Sequence, residues 1–106
     1  MDASLKIILG SFKSLLEKKI AVHEVILFGS RARGDADPQS DVDLIVIVND
    51  EIGDSERDYI SDCAWEIGFA HRLVLVPIVF TREEWEYGLE RVSLLGQAVR
   101  SEGISI

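Results

Sequence analysis

Asp41 and Asp43, separated by one valine and followed by the apolar run Leu-Ile-Val-Ile-Val, are the side chains in this sequence best suited to chemistry. Side chains on extended backbone alternate, so the two carboxylates share one side, with Cα atoms about 6.5 Å apart. That spacing lets them share one metal ion or bridge a metal pair. Upstream, another apolar run breaks at Gly29-Ser30, with Arg31 and Arg33 directly after it. Gly29 has no Cβ to hold a ligand away from the backbone. Ser30 can cap a short helix over the next residues, leaving N–H groups aimed at an anion. One element suits phosphates, and the other suits the cations that accompany them.

The surrounding periodicities predict what must position these groups. Leu5, Ile8, Leu9, Phe12, Leu15, Leu16 and Ile20 fall at helical spacing, with Lys6, Lys13, Glu17 and Lys18 opposite. Residues 24–28 are short, apolar and β-rich and run into the Gly-Ser break, which predicts a central strand. Residues 34–40 have loop composition, and residues 42–48 read as a buried strand. A turn over 49–55 precedes Tyr59, Ile60, Cys63, Ile67 and Ala70 at helical spacing. Residues 73–80 predict a third strand, with Pro77 implying an edge position or a bulge. Thr81-Arg-Glu-Glu84 has the capping-box pattern, and Trp85, Leu89, Val92, Leu95 and Val99 predict one last helix toward Gly103. The order α-β-(short α)-β-α-β-α predicts an α/β sandwich on a small mixed sheet packed by helices.

Composition narrows the functions. A chain of 106 residues that is 47% hydrophobic predicts a single domain over residues 1–106 with a modest core. A net charge of −8 argues against loose binding to DNA, RNA or anionic membrane, which depends on Lys and Arg neutralising phosphates. Any nucleotide must therefore be held locally. Cys63 is the single cysteine, no signal-peptide pattern opens the sequence, and no apolar run nears the roughly 20 residues of a membrane span. These features point to a reducing, cytoplasmic setting.

Phe28-Gly29-Ser30, ten further residues, then Asp41-Val42-Asp43 ahead of an apolar strand resembles the minimal nucleotidyltransferases of the DNA polymerase β superfamily. The likeness extends to the first helix and to the Pro-Ile-Val-Phe-Thr-Arg-Glu-Glu-Trp segment. It implies the polymerase β-like nucleotidyltransferase fold and Mg²⁺-dependent nucleotidyl transfer, with Mn²⁺ as an alternative cation. Many such proteins are antitoxins paired with HEPN-domain partners, and the studied type transfers AMP from ATP to a tyrosine of the partner. On this resemblance Asp41 and Asp43 are the catalytic metal ligands. Gly29, Ser30, Arg31 and Arg33 bind the nucleotide, the arginines through charge-assisted hydrogen bonds. The partners are then a nucleoside triphosphate and a HEPN-type protein, with homo-oligomerisation left open. The sequence departs from the family where a third carboxylate, metal ligand or general base, is expected near Val76 or Pro77. That departure predicts slow catalysis, a base supplied by the partner or substrate, or a non-catalytic nucleotide-binding module that neutralises its partner by masking it.

Each feature also has a plainer reading. An Asp-x-Asp entering a strand can be a solvated turn, and Ser30 can be only a cap. Arg31 and Arg33 can pair with Asp35 or Asp37, Gly34 can be a turn residue, and Ser40 can turn the chain ahead of Asp41. His23 and His71 lie just before strands without a second ligand nearby, which marks boundary residues. Cys63 sits on an apolar stripe, where a thiol behaves as a small hydrophobe. Trp85 lies on a stripe and reads as core, whereas Trp65 lies off one and suits a partner surface.

Overall fold

A computed structural model describes residues 3–34, 41–88 and 93–106. Its elements run α1 (Ala3–Glu17), β1 (Val22–Phe28), α2 (Ser30–Arg33), β2 (Val42–Val48), α3 (Asp54–His71), β3 (Leu75–Thr81), α4 (Arg82–Tyr87), α5 (Leu94–Glu102) and β4 (Ile104–Ser105). The four strands form one mixed sheet in the order β3-β2-β1-β4. β2 pairs antiparallel with β1 and parallel with β3, and β4 adds antiparallel to β1. The α/β class and the mixed sheet agree with the sequence patterns.

The two sheet faces are packed differently, and this decides where polar chemistry can sit. On one face Leu5, Leu9, Phe12 and Leu16 of α1 and Ile60, Cys63 and Ala64 of α3 bury Val25, Leu27, Val42, Leu44, Val46 and Val48. On the other face Trp85 of α4 and Val99 of α5 cover a smaller cluster of Ile26, Ile45 and Ile47. β2 is therefore buried from both sides over most of its length, and its sequence is almost continuously apolar for that reason. Asp43 breaks the run. It lies on the face of Ile45 and Ile47, at the entrance of the strand, where it is half-buried.

Several expectations need correction. The pattern predicted one helix from Trp85 through Val99, but α4 ends at Tyr87 against Gly88, and α5 begins anew at Ser93, whose hydroxyl accepts from the Gly96 amide at 3.1 Å. Leu89 and Val92 of that pattern lie outside the described residues. β4 was not expected, because two residues are too short to show a period. It is anchored where the Ile106 amide donates to the Val25 carbonyl at 2.8 Å. Ile20 continues the buried stripe of α1 although the helix stops three residues earlier.

Pro77 lies in β3, an edge strand paired to β2 without a register shift, so the edge alternative holds and the bulge does not. The Val42 amide donates to the Val74 carbonyl at 2.8 Å, with Val42 opposite Leu75. In a parallel ladder this register turns the backbone groups of Val74, Val76 and Ile78 toward β2, and those of Leu75, Pro77 and Val79 toward the open edge. The missing proline N–H thus falls on the open side and costs the sheet no hydrogen bond.

Candidate active site

The Gly29-Ser30 turn and Asp43 meet because β1 and β2 are antiparallel neighbours. Phe28, the last residue of β1, lies opposite Asp43. The chain leaves β1 through Gly29, makes the single turn of α2, and returns by residues 35–40, outside the described part, to Asp41. Gly29 has φ 78° and ψ −159°, a backbone region that only glycine occupies at low cost. A methyl group at this position would sit 2.8 Å from Oδ2 of Asp43. The glycine thus permits the turn and leaves room for the carboxylate beside it.

The expectation that Ser30 caps the helix is overturned. Gly29 occupies the N-cap, no side chain caps α2, and Ser30 is its first helical residue. The Ala32 and Arg33 amides donate to the Gly29 carbonyl at 3.1 and 3.2 Å, and the Gly34 amide to the Ser30 carbonyl at 3.0 Å. The Ser30 and Arg31 amides precede these bonds at the start of the turn, where helical backbone has no internal acceptor to offer.

The two arginines separate. Arg31 is half-buried beside the turn. Arg33 is exposed and donates through Nη1 to Oε2 of Glu102 at 3.3 Å. That link ties α2 to the end of α5, and the Arg33 pairing anticipated with Asp35 or Asp37 falls on residues outside the described part. An exposed pair of this kind contributes only about 0–1 kcal/mol.

Asp41 is exposed immediately ahead of β2, and Asp43 is the second residue of that strand. Opposite Asp43 on β3 is Val76, while Pro77 pairs with Leu44 and belongs to the other face. The position facing the aspartates is therefore valine. Among the described residues no group of three acidic, histidine or cysteine side chains converges on a metal site. Two hard carboxylate oxygens beside an anion-compatible turn still suit Mg²⁺, which commonly binds through one or two carboxylates and completes its shell with water and substrate phosphates. Glu83 and Glu84 lie elsewhere. Glu84 accepts from the Thr81 amide at 2.9 Å and donates its own amide to Thr81 Oγ1 at 3.1 Å, closing the capping box of α4.

The remaining candidates take structural places. His23 is exposed in β1, next to the register irregularity between Val22 and Glu24. His71 ends α3. Cys63 is buried, and burial above all raises its thiol from the ordinary range. Trp85 is buried at 7% exposure, beneath the Arg100 guanidinium 4.7 Å from its ring centre, whereas Trp65 is 69% exposed. Sequence reasoning missed Glu102 as the partner of Arg33, since no local pattern links residues 69 positions apart. It left Val76 and Pro77 unresolved because only the β2/β3 register separates them.

The mixed sheet, with its Gly-Ser turn beside Asp43 at the entry of the next strand, is the geometry against which the comparisons with known proteins stand. The family described as "Nucleotidyltransferase domain" matches residues 5–95. The chain belongs to that family. A Methanocaldococcus jannaschii protein named "Putative protein adenylyltransferase" is 34% identical over 64 residues, which cover 60% of this chain and 65% of the relative, so less than two thirds of the relative's length is matched. Among solved structures, a toxin-antitoxin with AMP-PNP aligns with TM-score 0.64 and 21% identity over 91% of this chain and 69% of the other. A tri-AMPylated Shewanella oneidensis HEPN toxin in complex with MNT antitoxin gives TM-score 0.58 and 20% identity over 94% and 69%. At these identities the two structures establish the shared fold. No helix among the described residues is long and apolar enough to cross a membrane.

Proposed function

We propose that this chain transfers AMP from ATP to a protein partner of the HEPN type, acting as the antitoxin of a pair. The observation that carries the reading is the contact between the phosphate-compatible turn and the acidic strand, with Asp43 Oδ2 2.8 Å from where a Gly29 methyl would lie. In this reading Asp41 and Asp43 hold Mg²⁺ or Mn²⁺. The Ser30 hydroxyl and the first amides of α2 take the outer phosphates, and Arg31 adds charge-assisted hydrogen bonds. Arg33 contributes only by leaving Glu102. A divalent cation at the aspartates supplies charge compensation on the α-phosphoryl group and the leaving pyrophosphate.

The acceptor oxygen attacks the α-phosphorus, the bond to the β-phosphate oxygen breaks, and the acceptor proton passes to solvent or to the partner. Val76 cannot take that proton. An acceptor that ionises readily, such as a tyrosine hydroxyl with pKa of about 10, asks less of a base than a serine or sugar hydroxyl. The relative named "Putative protein adenylyltransferase" and the solved complex with an AMPylated HEPN toxin support AMP as the transferred group and a protein as the acceptor.

The valine at 76 also favours a second reading, in which the chain binds nucleotide and neutralises its partner by contact alone. Incubation with α-labelled ATP, Mg²⁺ and the protein encoded beside this one separates the two. Label on a partner tyrosine, lost in the Asp41→Asn/Asp43→Asn variant, supports transfer. Neutralisation without label supports the second reading.

A further inference from the structure

A groove of about 830 Å³ lies between α3 and the open edge of β3. Trp65 and Phe69 form its α3 wall, stacked with ring centres 4.9 Å apart and planes 9° from parallel. They are 69% and 73% exposed, and Val74 on the strand side is 59% exposed. An aromatic pair already ordered by stacking and left this open to water is a costly surface unless something covers it.

We propose that this groove receives an amphipathic helix of the partner protein, apolar on one face and flanked by Lys or Arg. The inference deepens the function above by naming the surface that holds the protein acceptor, and it relies on that reading only for what the acceptor is.

Three observations select this occupant. Pro77 sits in the middle of the open edge with its nitrogen facing outward, so an added strand meets a missing donor. That disfavours strand addition and leaves side-chain packing, the mode of a helix in a groove. On the α1 side of the aromatic row, outside the groove's own lining, Asp58, Asp62 and Glu66 follow at four-residue intervals along α3, all exposed. This acidic row, on a chain of net charge −8, attracts a basic flank and repels a second copy. Finally, the groove borders the candidate active site, since Leu75 and Val76 in its wall pair with Val42 and Asp43. A helix seated there holds its parent protein one strand from the aspartates.

Trp65 reports the test directly, because the other tryptophan, Trp85, is already buried. The probes are two synthetic helical peptides with the same Leu/Phe face, one flanked by Lys and Arg and one by Glu. The basic peptide is expected to blue-shift Trp65 emission saturably, and Phe69→Ala to weaken it about tenfold or more, the effect of a central aromatic anchor. Added salt weakens this binding as exposed charges are screened. Equal binding of the Glu-flanked peptide, no response to either peptide, or a dimer in sedimentation that Phe69→Ala dissociates each overturns the proposal. Calorimetric binding of ATP with Mg²⁺ by Phe69→Ala verifies that the variant is folded. The same titration on the wild type separates the two claims, because ATP binding with no response to either peptide removes the groove alone and leaves the nucleotide site standing.

Discussion

At the scale of single residues, Gly29 and Asp43 are coupled by the absence of a methyl group. Gly29→Ala places a side chain in a backbone region that costs about 1–3 kcal/mol, and its Cβ must displace the Asp43 carboxylate. The expected outcome is an unfolding free energy in urea lowered by that amount together with weakened ATP binding. Retained affinity in a destabilised variant would separate the turn from the carboxylate. Val76 makes the reciprocal case. Because it alone of the two positions lies on the aspartate face, Val76→Asp is expected to accelerate AMP transfer and Pro77→Asp is not, as read by label incorporation in single-turnover assays. A general base of this kind is typically worth about 10²–10⁴-fold. The sequence displayed Asp41, Asp43, Gly29 and Ser30 because their chemistry and spacing are local. It misassigned the Ser30 cap because glycine at the N-cap left the serine one position inside the helix, a distinction of backbone dihedrals rather than of residue type.

At the scale of elements, β2 was legible in full, since burial on both faces imposes an apolar run over 42–48 that only Asp43 breaks. The end of the chain was not, because α4 and α5 continue one helical period across an interruption that only their caps reveal. The α4 cap is a reciprocal pair between Thr81 and Glu84, and Thr81 is buried. Thr81→Ala should therefore cost about 1 kcal/mol in urea denaturation, whereas an alanine at exposed Arg82 should cost far less. Equal losses at the two positions would mean that the cap contributes nothing beyond the surface pair. β4 shows the limit of periodicity, because its two residues are too few to alternate visibly, yet they pair with Ile26 and Leu27 of β1.

At the scale of the whole molecule, the sheet carries a large core on the α1/α3 face and a small one on the α4/α5 face, and Asp43 lies half-buried at the entrance of β2 on the second face. The larger core sets an alkaline limit. Burial first of all raises both the Cys63 thiol and the Tyr59 phenol, whose hydroxyl donates to the Leu15 carbonyl at 2.6 Å. A raised folded pKa means that the folded state holds its proton more tightly. The associated stability is complete below the ordinary thiol and phenol values of 9.0 and 10.0 and is lost as pH rises through the folded values. Unfolding free energy should thus decline above about pH 9, and Cys63→Ala should reduce the slope. A pH-independent free energy across that range would contradict this account of the core. The central claim, that the paired aspartates hold a cation and through it a nucleotide, is tested most directly by calorimetric titration of ATP. Mg²⁺-dependent binding that is weakened by about tenfold or more in the folded Asp41→Asn/Asp43→Asn variant, about 1.4 kcal/mol, is the predicted result. Equal affinity in the variant, or in the wild type with the cation chelated, would contradict it.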